Sequence, residues 1–167
     1  MNGDGSKKDT LRNIEATGQW VMNTVSEWYL PCANQTSGNY ASGVDETKEA
    51  GLVQLPCAVV AAPRLAQAPV SMECTLDFSR DIYNDNGVHT TTLLVGRVVH
   101  VHVHKAVLKD DSRGGGQTET DAATGGERPV VPLVDLGKVR AVGRAGDVTY
   151  WPVGSGGSSS MPRPVIS

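Results

Sequence analysis

The sequence predicts a mainly β domain with short helices. Its 167 residues suffice for one ordinary domain with a single core. The 19 glycines and 9 prolines, beside a single phenylalanine, favour short strands and turns over a helical bundle. Two strand-like runs, 70–83 and 88–104, flank a turn that ends in Asn86-Gly87. Because both residues tolerate positive φ, this pair predicts a long antiparallel hairpin with a primed turn.

The chain ahead of the hairpin begins with a predicted helix and a strand. Residues 7–17 form the helix, because Asp9 or Thr10 can cap its first amides and apolar residues follow at helical spacing. Gly18 supplies the stop. Residues 19–25 then alternate in a strand pattern with both faces partly buried.

Short helices and a loop follow in the prediction. A helix begins at Ser26 and is closed by Pro31 or soon after, because proline cannot continue a helix interior. Residues 34–44 are rich in turn formers and predict a surface loop of the kind that carries sites. Asp45 caps a further short helix that ends at Gly51.

The remaining segments are less regular. Prolines divide 52–69 into pieces that cannot all be central strands. Residues 109–128 carry almost no apolar side chain, so we expect a disordered insertion. Strand-like residues return at 129–136 and 139–151. The tail 155–167 is rich in Gly, Ser and Pro, so we expect it to be unfolded.

Composition excludes several classes of function for the domain, residues 1–154. The net charge of −3 offers no basic field to attract nucleic acid or an anionic membrane. We see no secretory signal and no apolar run of ~18–20 residues, so we expect a cytoplasmic protein. Cys32, Cys57 and Cys74 are odd in number and lack CxxC spacing, which predicts reduced thiols and neither disulfides nor a zinc knuckle.

Three histidines alternate with valines along residues 99–104. His100, His102 and His104 share one face of a strand, about 6.5–7 Å apart at Cα, so two of them could share a metal ion. No cysteine or carboxylate is placed by the sequence to complete the ligand shell. The simpler interpretation is an amphipathic strand, with the valines inward and the histidines toward solvent or a dimer partner.

Four segments carry a resemblance to a known family: KKDTLRNIEATGQWVMN, NQTSGNYASGVDETKEAGL, PRLAQAPVSMEC and TTLLVGRVVHVHV. They resemble the flavin reductase-like family, the FMN-binding split barrels that include flavoredoxin-type proteins. Gly96 and His102 lie where that family commonly has Gly and His. The resemblance implies an antiparallel split barrel, usually a homodimer, that holds FMN at or near the subunit interface. Only six residues precede Lys7, so it also implies a barrel incomplete at its N-terminal strands.

Lys8, Asp9 and Thr10 lie at the predicted start of the first helix. Unpaired amides there carry partial positive charge, which suits a phosphate. From the residues alone, N-capping beside a solvated lysine is the simpler interpretation. The resemblance implies instead that this segment binds the FMN phosphate, with the Thr10 hydroxyl and Lys8 ammonium adding direct contacts.

Asn34, Thr36 and Ser37 offer donors and acceptors without net charge in the predicted loop. Such groups suit the isoalloxazine edge or the ribityl chain, although an ordinary turn is the simpler interpretation from the residues alone. The resemblance implies that they bind the cofactor. Nothing in the chain resembles a proton-transfer dyad, which fits chemistry carried by a cofactor. We therefore assign no catalytic residue and no metal ligand.

Arg144, Gly146 and Tyr150 resemble the end of the family's barrel, which would let them reach the flavin of a neighbouring subunit. A plain turn explains the glycine equally well. The leading hypothesis is thus an FMN-binding protein that transfers hydride between NAD(P)H and flavin, or carries electrons on flavin, as a homodimer. One alternative is a truncated barrel that dimerises or binds a partner without catalysis, and another is a metal-binding protein built on the histidine strand.

Overall fold

The computed structural model describes residues 5–109, 118–120, 125–129, 133–146, 148–153 and 159–161. Within them the chain is mainly antiparallel β with short helices, as predicted. The helices are α1 (Asp9–Thr17), α2 (Leu30–Gln35), α3 (Glu46–Glu49) and α4 (Leu136–Val139), with 3-10 turns at Glu27–Tyr29 and Lys105–Val107. The strands are β1 (Gln19–Asn23), β2 (Gln54–Leu55), β3 (Arg64–Leu65), β4 (Val70–Tyr83), β5 (His89–Val103), β6 (Thr118–Thr120), β7 (Glu127–Pro129), β8 (Val142–Arg144), β9 (Thr149–Pro152) and β10 (Ser159–Ser160).

The main sheet has the strand order β1-β4-β5, and both neighbouring pairs are antiparallel. The long predicted hairpin is confirmed as β4 and β5. Met22 on β1 lies opposite Met72 on β4, and Met72 lies opposite Val101 on β5, so these three share one face. Glu73, the next residue of β4, points to the other face. Across the described residues the sheets remain separate and do not close.

The first helix is confirmed as α1, but the prediction that Asp9 or Thr10 caps it is wrong. The helix begins at Asp9 itself, after an extended Lys8, and no side chain caps its amides. The Asp9 carboxylate pairs instead with the guanidinium of Arg12, one turn further along. Gly18 ends the helix as predicted, with a left-handed φ of 66°.

The prediction that the second helix closes at Pro31 or soon after is wrong, because the helix continues for four residues beyond the proline. Ser26 does precede a 3-10 turn, but α2 follows directly and continues to Gln35. Pro31 lies in the first turn of α2, where the missing N–H would have had no intrahelical acceptor. The predicted loop therefore starts at Thr36, and the predicted cap of α3 is confirmed, since the Asp45 carboxylate accepts from the Thr47 N–H.

The hairpin turn differs from the primed turn that Asn86-Gly87 predicted. The Gly87 N–H donates to the Asn84 carbonyl at 2.9 Å, and Gly87 adopts φ 72°. Asn86 does not take positive φ. The Asn84 side-chain oxygen accepts from the N–H groups of Asn86 and Val88, and this bonding stabilises a longer turn of the ordinary hand.

A small apolar core lies beside the main sheet. It contains Tyr29, Ala50, Leu52 and Ala68, so it joins the 3-10 turn before α2 to the segments on either side of the β2-β3 pair. The Tyr29 hydroxyl donates to the Thr24 carbonyl at 2.6 Å. Burial raises the pKa of Tyr29 to about 12. This core holds α2 in place.

Outside the main sheet the strands are short. The segment 52–69 forms only β2 and β3, in keeping with its prolines. At 118–129, overlapping the predicted insertion, β6 pairs with β7, a ladder that the sequence did not predict. Residues 110–117 and 121–124 lie outside the described residues.

The C-terminal third was predicted only in part. Of 129–136, residues 130–132 are not described and Leu136 begins α4, capped by the Asp135 side chain. The predicted strand at 139–151 is the hairpin β8-β9. Two residues of the predicted unfolded tail form β10 on β9, because backbone pairing needs no apolar side chain. Residues 154–158 and 162–167 lie outside the described part.

Candidate functional site

A cleft of about 1360 Å³ opens between the start of α1 and the segment that follows α2. Lys8, Asp9 and Thr10 line it from α1, and Thr36 and Ser37 line it from the segment after α2. The structure therefore brings together five of the six residues that the sequence analysis assigned to a cofactor. Further lining residues include Arg12, Tyr40, Val44, Asp45, Glu46 and Arg144.

The start of α1 presents donors to this cleft. The first backbone bond of the helix runs from the Arg12 N–H to the Lys8 carbonyl at 3.1 Å, so the amides of Asp9, Thr10 and Leu11 precede the helical ladder. Among the described residues, none accepts from these amides, and the side chains of Lys8 and Thr10 make no hydrogen bond. Unpaired amides, an ammonium and a hydroxyl at one helix start are donors of the kind that bind an anion.

Thr36 and Ser37 contribute hydrogen-bond acceptors to the cleft and close the last turn of α2. Their hydroxyls donate to the carbonyls of Ala33 at 2.8 Å and Asn34 at 2.7 Å, which close the last turn of α2. Because each proton is used within the chain, the hydroxyl oxygens are left to accept from a ligand. Tyr40 is oriented nearby, since its hydroxyl accepts from the Gln35 amide at 3.0 Å.

Asn34, the sixth predicted residue, is placed outside the cleft. It is buried at 7% exposure, and its side-chain oxygen accepts from the Tyr150 hydroxyl at 2.9 Å. This bond ties α2 to β9. Arg144 does line the cleft, with its guanidinium carbon 5.7 Å from the centre of the Tyr150 ring. Asn34 and Tyr150 thus lie beneath Arg144, and we call this pair the floor of the cleft.

Charges of both signs face the cleft. Arg12 is engaged by Asp9, whereas Lys8 has no ion-pair partner among the described residues. Burial, with the nearby Asp9 and Asp45, raises the pKa of Glu46. Hydrogen bonds from Thr47 to the Asp45 carboxylate lower the pKa of that carboxyl group. The lining therefore carries the acidic groups Asp9, Asp45 and Glu46 together with the basic groups Lys8, Arg12 and Arg144.

Sequence reasoning missed Arg12, Tyr40 and Val44 as lining residues. The Asp9–Arg12 spacing of one helical turn was a usable signal for Arg12, because it places both on the exposed side of α1. Tyr40 and Val44 lie within a loop whose path no periodicity defines.

A second polar cluster lies on the face of the main sheet that Glu73 occupies. Glu73 is fully buried and accepts from the amides of Ala58 at 2.7 Å, Val59 at 2.7 Å and Val60 at 2.8 Å. The His102 Nε2 lies 2.5 Å from a Glu73 oxygen. Burial alone would raise the pKa of Glu73, but these hydrogen bonds lower it to about 2.

This cluster corrects the interpretation of the histidine strand. His102 points into the protein toward Glu73, with its side chain 22% exposed. The prediction of inward valines is wrong, since Val101 is 49% exposed and Val103 37% exposed. A buried carboxylate needs a charged or hydrogen-bonding partner, and that requirement outweighs the hydrophobicity of the valines.

Comparison with known proteins identifies the family. The family described as "Flavin reductase like domain" matches residues 4–126. The chain belongs to the flavin reductase-like family. In the described residues, no helix has the length and apolar character to cross a membrane.

Two curated relatives are uncharacterised proteins of bacteria. One, from Halalkalibacterium halodurans, is 34% identical over 116 residues, which are 70% of this chain and 54% of that protein. The other, YwrF of Bacillus subtilis, is 31% identical over 104 residues, which are 62% of this chain and 51% of that protein. The chain thus spans about half the length of these relatives.

Solved structures share the split-barrel fold. Nitrilotriacetate monooxygenase component B from Bacillus cereus has a TM-score of 0.72 at 23% identity, covering 90% of this chain and 64% of that one. A putative flavin reductase with a split barrel domain from Shewanella frigidimarina has a TM-score of 0.63 at 20% identity, covering 95% and 65%. The flavoredoxin of Desulfovibrio vulgaris has a TM-score of 0.58 at 20% identity, covering 98% and 70%.

Proposed function

We propose that the chain binds FMN in the cleft at the start of α1 and uses it to move electrons, with NAD(P)H as the hydride donor. The observation that carries the proposal is the uncapped start of α1, where Lys8 and Thr10 face the cleft without partners among the described residues. Family membership supports a flavin as the ligand. One solved relative from Shewanella baltica is described as an FMN-binding domain of a flavin reductase-like enzyme.

The residues present fit the phosphate end of this cofactor best. A phosphate dianion takes several N–H donors at a helix start, and Lys8 adds a full positive charge. The oxygens of Thr36 and Ser37 suit the hydroxyls of a ribityl chain. Tyr40 and Val44 are the apolar side chains of the lining that we assign to contact with the ring.

The chain's own contribution to the redox step is binding and orientation. Bound FMN would supply two-electron chemistry, accepting hydride from the nicotinamide. Lys8 and the α1 amides hold the phosphate, Tyr40 and the segment after α2 orient the rest, and Asp9 is kept from the anion by its pairing with Arg12. No side chain of the cleft needs to exchange a proton for this role.

We further propose that a second copy covers the exposed face of the main sheet. Met22, Val98 and Val101 lie on that face with about half of each residue exposed, at 52%, 49% and 49%. A contiguous apolar strip on paired strands is costly to leave in water and marks an association surface. An apolar strip of this kind can be buried against the same strip of a second copy, as in a two-fold symmetric homodimer.

The same strip favours a second candidate function, a dimerising or partner-binding protein without catalysis. That candidate needs the sheet face but not the cleft. Size measurement together with flavin binding separates the two. A dimer that binds FMN supports the redox proposal, whereas a dimer with no FMN affinity supports the interaction protein.

The cleft assignment is tested by comparing FMN with riboflavin, which lacks the phosphate. We expect wild type to bind FMN at least about tenfold more tightly, which corresponds to about 1.4 kcal/mol. The double variant Lys8→Met/Thr10→Val should lose that preference while keeping its riboflavin affinity. Lys7→Met is the matched control, because the Lys7 ammonium pairs with Glu15 at 2.7 Å and does not line the cleft. Equal FMN and riboflavin affinities in wild type would refute the assignment.

A further inference from the structure

The side chains of Cys57, Glu73 and His102 come together outside the flavin cleft. Their ligand atoms, a sulfur, a carboxylate oxygen and an imidazole nitrogen, all lie within 4.8 Å of one another. They come from three separate places: the segment between β2 and β3, the start of β4 and the end of β5. The proposed flavin chemistry uses none of them.

We propose that these three residues form a binding site for a divalent transition cation of the zinc type. Thiolate, imidazole and carboxylate are the ligands that Zn²⁺ takes in proteins, and three protein ligands leave a fourth position for water. Softer thiolate and imidazole ligands disfavour Mg²⁺ and Ca²⁺, which prefer oxygen donors. The histidine strand lacked a carboxylate and a cysteine in the sequence, and the fold supplies both to His102.

Glu73 is built to hold such an ion. Its two oxygens are fixed by the amides of Ala58, Val59 and Val60, so the ligand is oriented before any cation arrives. Backbone donors of this kind act as the outer shell that positions a metal ligand. Glu73 is also fully buried, so its carboxylate is removed from bulk water before a cation binds.

His102 is the ligand that must move. Its Nε2 is 2.5 Å from the Glu73 oxygen, and tetrahedral bonds of about 2.0–2.1 Å would place these atoms about 1 Å further apart. The cation would take the place of the proton that the two atoms share. His102 lies on β5, an edge strand of the main sheet, and its side chain is 22% exposed. The side chain therefore has room to make this shift.

Cys57 completes the set from the third direction. Its sulfur lies within 4.8 Å of both the Glu73 oxygen and the His102 nitrogen. Binding would release the thiol proton to solvent, leaving thiolate on the cation. Arg64 acts electrostatically on the same thiol, and its positive charge opposes a second cation. We therefore expect weaker affinity than in a closed site of four cysteines.

The test titrates the metal-free full chain with Co²⁺, followed by Zn²⁺ in competition. We expect one Co²⁺ per chain, a near-ultraviolet band of thiolate-to-cobalt charge transfer, and loss of the band when Zn²⁺ displaces the probe. Cys57→Ser should abolish the band and weaken binding at least about tenfold. Cys32→Ser is the matched control, because Cys32 is also half-buried but lies on α2 outside the cluster.

Folding is checked in the same variants by thermal unfolding without metal. Cys57→Ser leaves the Glu73–His102 hydrogen bond intact, so we expect its melting temperature to be close to that of wild type. His102→Gln removes a second proposed ligand. A wild-type chain without the charge-transfer band at excess Co²⁺ would overturn the proposal. So would a Cys57→Ser variant that retains the band. Neither measurement depends on flavin.

Discussion

Gly96 of β5 lies beneath the indole ring of Trp20, and the substitution Gly96→Ala tests this packing. A Cβ at Gly96 would lie 2.1 Å from Trp20 Cη2 and 2.4 Å from Cζ2, where ordinary contact begins near 3.4 Å. It would also lie 3.0 Å from the Thr75 carbonyl oxygen, which is backbone and cannot yield easily. The ring must therefore move by about 1.3 Å across the sheet.

Such overpacking costs about 1–3 kcal/mol of the free energy of unfolding. For a chain of this length, each kcal/mol lowers the melting temperature by roughly 2–4 °C. Urea unfolding and thermal scans measure both quantities. Gly143→Ala is the matched control, because Gly143 also lies in a strand and its added Cβ would meet only the Trp151 carbonyl at 3.9 Å.

A double-mutant cycle identifies the cause of the loss. In a Trp20→Leu background the obstructing ring is gone, so Gly96→Ala should cost at least about 1 kcal/mol less than in wild type. Gly143→Ala should remain within about 0.5 kcal/mol of its parent in either background. A Gly96→Ala protein as stable as wild type would refute the packing argument, as would an equal cost in both backgrounds.

Three further predictions concern acid stability, association and the floor of the cleft. The pKa of Glu73 is about 2 in the folded chain, against an ordinary value of 4.5 for an exposed glutamate, so its stabilising effect is complete above pH 4.5 and is lost as the pH falls toward 2. Melting temperatures from pH 7 to 2 should show this fall, and Glu73→Gln should flatten it; an unchanged slope would contradict the assignment. Val101→Lys should weaken self-association at least about tenfold by sedimentation, whereas Val53→Lys, equally exposed but off the sheet face, should not. Tyr150→Phe removes the bond to Asn34 and should cost about 1–2 kcal/mol of unfolding free energy by urea titration, with little loss expected for Tyr40→Phe as control.

Local signals made α1 and the long hairpin predictable. The periodicity of residues 7–17 and the stop at Gly18 act within one helix, and turn formers at 84–87 act within one hairpin. The predicted helix cap and turn type were wrong, because a competing local hydrogen bond or ion pair was available at each. Asp9 paired with Arg12 rather than capping α1, and the Asn84 side chain stabilised a different turn.

The site was predictable to the extent that the family resemblance marked its segments. Five predicted residues line one cleft, although nothing local shows that Lys8 and Thr36 meet. Asn34 is drawn away by a bond to Tyr150, 116 positions later in the chain. Glu73 likewise gains its partners from the backbone of a distant segment. Contacts of this range leave no periodic trace in a sequence.

The proposed flavin site depends on the binding of the flavin phosphate by the amides at the start of α1. Amide chemical shifts of the isotope-labelled chain, recorded with FMN, riboflavin and inorganic phosphate, measure this contact. We expect the N–H signals of Asp9, Thr10 and Leu11 to move with FMN and with phosphate but not with riboflavin, while the signal of the capped Gly137 amide stays unchanged. FMN-specific shifts confined to residues away from α1 would contradict it.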